Sequence, residues 1–135
     1  MTRHAQRLAA VELLYAADVR GVDGAVVLDE RQSEDPVGEY TAKLVRAVDR
    51  SRSEIDALLA AKAIGWPPER MSPVDRNVLR IGVAELMGGG VPPAVVLDEA
   101  VELAKHFSGE EAGRFVNGVL AAVLHERQDP GRSSS

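Results

Sequence analysis

The stretch FVNGVLAAVL, residues 115–124, sets an Asn-Gly pair inside an otherwise apolar run. Asn-Gly is a strong signal for a tight hairpin turn, so this segment decides between strands and helix. A hairpin at Asn117-Gly118 leaves Phe115-Val116 too short for a strand, and it leaves 119–124 without the alternation a half-buried strand needs. Read as a helix, Phe115, Val119 and Val123 form one i, i+4 row, with Val116, Leu120 and Leu124 beside it. The helix is the better reading. Gly118 then costs about 1 kcal/mol against Ala in an exposed helix interior, which predicts a structural role: a crossing helix approaching closely at Gly118. Asn117 should bond to a neighbouring backbone, because a buried unpaired amide costs about 1–3 kcal/mol.

Working outward, the other segments also read as helix. Leu8, Val11, Leu14 and Tyr15 recur at helical spacing over 3–19, with Thr2 as a cap and Gly21 as a stop. The segment 23–32 is ambiguous, since Val26, Val27 and Leu28 suit a buried strand as well as a helix. Asp35 as N-cap and Pro36 in the first position predict one long helix through about residue 62. Ser72, Pro73 and Asp75 form a capping-box variant that opens a helix ended by Gly88-Gly89-Gly90. A fifth helix starts near Pro93 and runs to Gly109. Ser108 and Glu111 form a second capping-box pattern ahead of the sixth, roughly 110–127. The expected fold is all-α: a compact single-domain bundle of about six helices over 1–128, with 129–135 as a disordered tail.

Composition narrows the function. The 135 residues include no cysteine, which excludes disulfides and thiolate metal sites. No apolar run is long enough to cross a bilayer, and a cytoplasmic protein without membrane contact is expected. The net charge of −5 opposes binding a polyanion unaided, so any nucleic-acid role needs a local basic patch or a partner's charge. The few aromatics, Tyr15, Tyr40, Trp66, Phe107 and Phe115, argue against a stacking platform for RNA.

Catalytic readings fail one by one. His4, His106 and His125 lack metal-site spacing, and no cofactor or metal is expected. Asp98, Glu99 and Glu102 read as dipole-favoured surface charges. Lys43, Arg46 and Arg50 follow helical spacing, but Asp49 and Glu54 lie among them, so a solvated, self-paired face is expected. At the N-terminus, Arg3, His4 and Arg7 precede any acid. Cations there oppose the helix dipole by about 0.3–1 kcal/mol each, the reverse of what stability favours. A mobile arm that contacts phosphate is a rational use for them.

Three stretches, SPVDRNVLRIGVAEL (72–86), PPAVVLDEAVELAKHFS (92–108) and GRFVNGVLAAV (113–123), resemble in order and spacing the C-terminal half of the NusB family of bacterial transcription antitermination factors. RHAQRLAAVELLY near the start is similar to that family's Arg-rich first helix, and the likeness is weakest across 21–35. The resemblance implies a non-catalytic, all-helical factor. It would bind boxA RNA of nascent ribosomal RNA leaders together with NusE, a small-subunit ribosomal protein, in a complex of Nus factors on RNA polymerase. By position it implies RNA contact at Arg3, His4 and Arg7, with Arg76, Arg80 and Lys105 as further candidates, and NusE contact at Glu85. Ala121 stands where some members carry an Asp that modulates RNA binding. Substituting Arg3 and Arg7 with Ala is expected to weaken RNA binding without loss of helix. Two alternatives remain: a homodimeric protein-interaction module without RNA contact, and a domain associated with a ribosomal RNA methyltransferase, disfavoured because no glycine-rich cofactor strand follows.

Overall fold

A computed structural model describes residues 1–128; the expected tail at 129–135 lies outside the described residues. Seven α-helices and one 3₁₀ turn are present among the described residues, and no strand: α1 Arg3–Arg20, α2 Gly24–Glu34, α3 Glu39–Arg50, α4 Arg52–Lys62, the 3₁₀ turn Pro68–Arg70, α5 Pro73–Gly88, α6 Pro93–Ser108 and α7 Glu110–Gln128. The ambiguous segment at 23–32 is helix α2, with Val27 and Leu28 turned into the core.

Helix α5 is the axis of the molecule. It packs against α1, α3, α4, α6 and α7, and every residue from Asn77 to Leu86 is buried. A helix buried on all sides is expected to be apolar throughout, yet α5 carries Asn77, Arg80 and Glu85. Buried polar groups are tolerated only with partners, so these three dictate much of what surrounds them. The apolar core is completed by Leu13 and Leu14 of α1, Leu28 of α2, Val45 and Val48 of α3, Ile55 and Leu59 of α4, Leu103 of α6 and Leu120 of α7.

The capping chemistry divides. Ser72 opens α5 as expected, its hydroxyl accepting from the Asp75 N–H at 3.1 Å, and Gly89 closes it in the left-handed conformation at φ 72°. The long helix expected from Asp35 to residue 62 is corrected in two ways. Asp35 caps the C-terminal end of α2, and α3 begins only at Glu39, behind Gly38. The chain then breaks at Ser51, between Val48 and Ile55, where no side chain reaches the core for a full turn. Helix α3 turns its apolar face to α1, α2 and α5, whereas α4 faces α5 and α7, and one straight helix cannot do both. Ser108 is corrected as well: it is the last residue of α6, and its hydroxyl donates to Asp75 Oδ1 at 2.9 Å.

The α7 segment that decided the fold is helical, but the packing reason given for it is overturned. Asn117 and Gly118 are exposed, and a Cβ on Gly118 would meet nothing within 4 Å. The close crossing lies on the partner helix instead. A Cβ on Gly82 of α5 would come within 2.7 Å of Leu120 Cδ1. Gly113, where α7 meets α6, would meet Lys105 Cγ at 2.9 Å.

Candidate nucleic-acid interface

The N-terminal basic residues are not a loose arm. Thr2 caps α1 by accepting from the Ala5 N–H at 3.0 Å, so Arg3 already sits in the first turn. Helix α1 is held at this end by Gln6. Its side-chain oxygen accepts from the Tyr40 N–H at 2.9 Å, and its backbone carbonyl accepts from the Thr41 hydroxyl at 2.8 Å. Gln6 thereby caps α3 from another helix. Gly38 is the residue that permits it, because a Cβ there would collide with the Gln6 amide.

This docking brings four of the residues singled out in the sequence to one end of the bundle. Arg7 is 3% exposed and Glu85 6%, and they form a two-pronged ion pair: Arg7 Nε donates to Glu85 Oε1 at 3.0 Å and its terminal nitrogen to Oε2 at 3.0 Å. The Tyr40 hydroxyl also donates to Glu85 Oε2. Arg3 lies over the Tyr40 ring, its guanidinium carbon 3.8 Å from the ring centre. His4 Nδ1 is 2.8 Å from Glu99 Oε2, and Arg7 lies 3.8 Å from the same carboxylate. Burial disfavours the Arg7 charge, but the hydrogen bond and charge of Glu85 outweigh it and push the Arg7 pKa up. Burial, then the hydrogen bond to Glu85, pushes the Tyr40 phenol up. The phenol therefore remains a donor.

Arg7 and Glu85, assigned in the sequence to two different partners, thus satisfy each other. Each would leave the other buried and uncompensated if it turned outward. Tyr40, Glu99 and Gln6 belong to this constellation and were not singled out as site residues. Tyr40 carried a signal, since a phenol on a buried helix face needs a polar partner. Glu99, which is 95 positions from His4, carried none.

Arg76 and Arg80, the further RNA candidates on α5, have their donors engaged inside the fold. Arg76 Nε donates to Asp18 Oδ2 at 2.7 Å and a terminal nitrogen to the Pro68 carbonyl at 2.8 Å. Arg80, 4% exposed, forms two 2.9 Å bonds to Asp56 and one of 3.1 Å to Asp18, which also accepts from Asn77. Burial pushes the Asp18 carboxyl up, but the hydrogen bonds from Arg76 and Asn77 and the two guanidinium charges hold it below the usual aspartate range. Lys105 lies on the α6–α7 face, 3.7 Å from Glu110.

The self-paired reading of α3 is also corrected. Asp49 turns away to accept the N–H groups of Gly24 and Ala25 at 2.9 and 2.8 Å, capping α2. Lys43, Arg46 and Arg50 are exposed. Arg3, Lys43 and Arg50 line one groove of about 320 Å³, with Tyr40, Leu44, Ala47, Met87 and Val91 among its other walls. No described helix is long and apolar enough to cross a membrane, and no cluster of potential metal ligands occurs among the described residues.

Comparison with known proteins identifies the architecture. The NusB family model matches residues 4–125. The transcription antitermination protein NusB of Thermobifida fusca is 46% identical over 93% of this chain and 91% of its own. Among solved structures, T. maritima NusB superposes with a TM-score of 0.83 at 33% identity, covering 93% of this chain and 92% of that one. A crystal structure of antitermination factors NusB and NusE in complex with dsRNA superposes with a TM-score of 0.78 at 35% identity, covering 93% and 98%. The chain belongs to the NusB family.

Proposed function

We propose that this protein is a non-catalytic transcription antitermination factor that binds boxA RNA of nascent ribosomal RNA leaders together with NusE, within a complex of Nus factors on RNA polymerase. The observation that carries this reading is the similarity, over 93% of this chain, to a NusB that was crystallised with NusE and dsRNA. The α1 end suits the role: Arg3 and His4 are exposed on the first turn of a docked helix, so phosphate contacts there meet a positioned surface. Arg7 and Glu85 serve this end from beneath, fixing Tyr40 and through it Arg3. The NusE contact assigned to Glu85 is then made by the surface that this buried pair shapes.

The net charge of −5 sets the energetics. Each phosphate neutralised on a single strand contributes about 0.7 to the slope of log affinity against log salt, and Arg3 and His4 at the start of α1 supply few such contacts. The isolated protein should bind boxA RNA weakly, and NusE should raise the affinity by adding contacts. Fluorescence anisotropy at one fixed salt concentration, with and without NusE, tests this. Equal affinity in the two cases would overturn the joint-binding reading.

A further inference from the structure

Helix α3 carries a basic stripe that the α1 site does not use. Lys43, Arg46 and Arg50 sit at i, i+3 and i+7, on one helical face and about 10 Å from end to end at a rise of roughly 1.5 Å per residue. The nearby acids do not neutralise them. Asp49 is committed to the N-terminus of α2, and Glu39 and Glu54, one turn beyond either end, form no ion pair with the stripe among the described residues. Other basic residues around the bundle are differently placed: Arg7, Arg20, Arg76, Arg80 and Lys62 each meet a carboxylate within 4 Å.

The stripe borders the groove described above. The groove is lined by Arg3, Lys43 and Arg50, by the apolar Leu44, Ala47, Met87 and Val91, and by Gly88 and Gly90 where α5 ends, and its one acid, Glu85, is already paired with Arg7. Helix α5 ends at this groove with no basic residue in its last turn, so the carbonyls of that turn carry partial negative charge. The groove is therefore polarised, with cations along α3 and acceptors along the α5 end. A nucleotide has the matching polarity: phosphates for the cations, an apolar base face for the floor and base amino groups for the carbonyls. Arg3 belongs both to the α1 end and to this groove, which makes the two surfaces continuous.

We infer that the groove between α3 and the α5–α6 junction takes single-stranded RNA beyond the segment bound at the α1 end, with Arg3, Lys43 and Arg50 on its phosphates. This rests on the RNA-binding reading above and adds a second length of track to it. The track should be tolerant of sequence, because the contacts on α3 are to phosphate.

The test uses the complete chain with NusE and two labelled RNAs, a minimal boxA oligonucleotide and the same oligonucleotide lengthened by unstructured flanks. Wild type is compared with the double variant Lys43→Glu/Arg50→Glu and with Arg114→Glu/Arg127→Glu, an equal charge change at exposed positions elsewhere. Wild type should bind the longer RNA several-fold to about tenfold more tightly than the short one, with a steeper salt dependence. Lys43→Glu/Arg50→Glu should abolish that gain and reduce the slope by about 1.4, two single-strand phosphate contacts. The Arg114/Arg127 control should keep the gain. Identical behaviour of the two double variants on RNA that wild type binds would overturn the inference while leaving the proposed function standing. Failure of wild type to bind either RNA with NusE overturns both. Loss of NusE capture in the absence of RNA, confined to Lys43→Glu/Arg50→Glu, would identify the groove as a protein-docking surface and overturn the inference.

Discussion

Arg7 is a cation held inside the fold at the α1 end. Its charge is buried against Glu85 and Tyr40, so truncating it removes far more than a phosphate ligand. Arg7→Ala is expected to lower stability by about 3–5 kcal/mol, the usual consequence of stranding the partner of a buried pair. Replacing both members, as in Arg7→Met/Glu85→Leu, should recover much of that loss, because neither charge is then left unpaired. Urea unfolding of the two single variants and the double variant measures the coupling. Additive losses would show that the pair does not act as a unit. The double substitution expected to weaken RNA binding without loss of helix therefore joins two different residues: Arg3 is exposed, and Arg7 is buried in an ion pair. Sequence placed both arginines at the start of one helix. It could not tell them apart, because the carboxylate that captures Arg7 is 78 positions away.

Helices are where the sequence was read most successfully and where several of its explanations failed. Ser72 and Gly89 act through bonds to residues within one turn, so their roles are legible locally. The start of α3 is not, because its cap is the Gln6 side chain of another helix. Gly118 is the sharper case. Its neighbours Val119 and Leu120 are buried, but the glycine itself faces open space, whereas Gly82 lies under Leu120 where α5 and α7 cross. Gly118→Ala should therefore stabilise the protein by up to about 1 kcal/mol through helix propensity. Gly82→Ala gains the same propensity but must overpack the crossing, at a typical cost of about 1–3 kcal/mol, and should be less stable than the Gly118 variant by about that difference. Thermal or urea unfolding of both variants decides the order. A Gly118→Ala protein less stable than Gly82→Ala would restore the close-packing role first assigned to residue 118.

Across the whole molecule, ion pairs tie the helices together around α5. Asp18 links α1 to α5 through Arg76, Asn77 and Arg80, and Arg80 continues to Asp56 of α4. Because the Asp18 pKa is lower in the folded protein than in the unfolded chain, its contribution is present above the ordinary aspartate value and is lost as pH falls through the lowered one. Stability should thus decline on acidification below about pH 4. Asp18→Asn should be less stable at pH 7, by about 1–3 kcal/mol, and should show a shallower acid decline. Parallel acid limbs for wild type and Asp18→Asn would remove Asp18 from that role. The same network shows that a count of arginines overstates the exposed charge: Arg76 and Arg80 are spent on cohesion, whereas Arg3, Lys43, Arg46 and Arg50 are exposed. By itself the sequence determined the all-helical class, most helix ends and the family, because apolar periodicity and caps act over a few residues and the family motifs lie in continuous stretches. Only the tertiary structure decided which charges are internal and which are free, since a buried ion pair is made by whichever distant carboxylate the packing brings within reach.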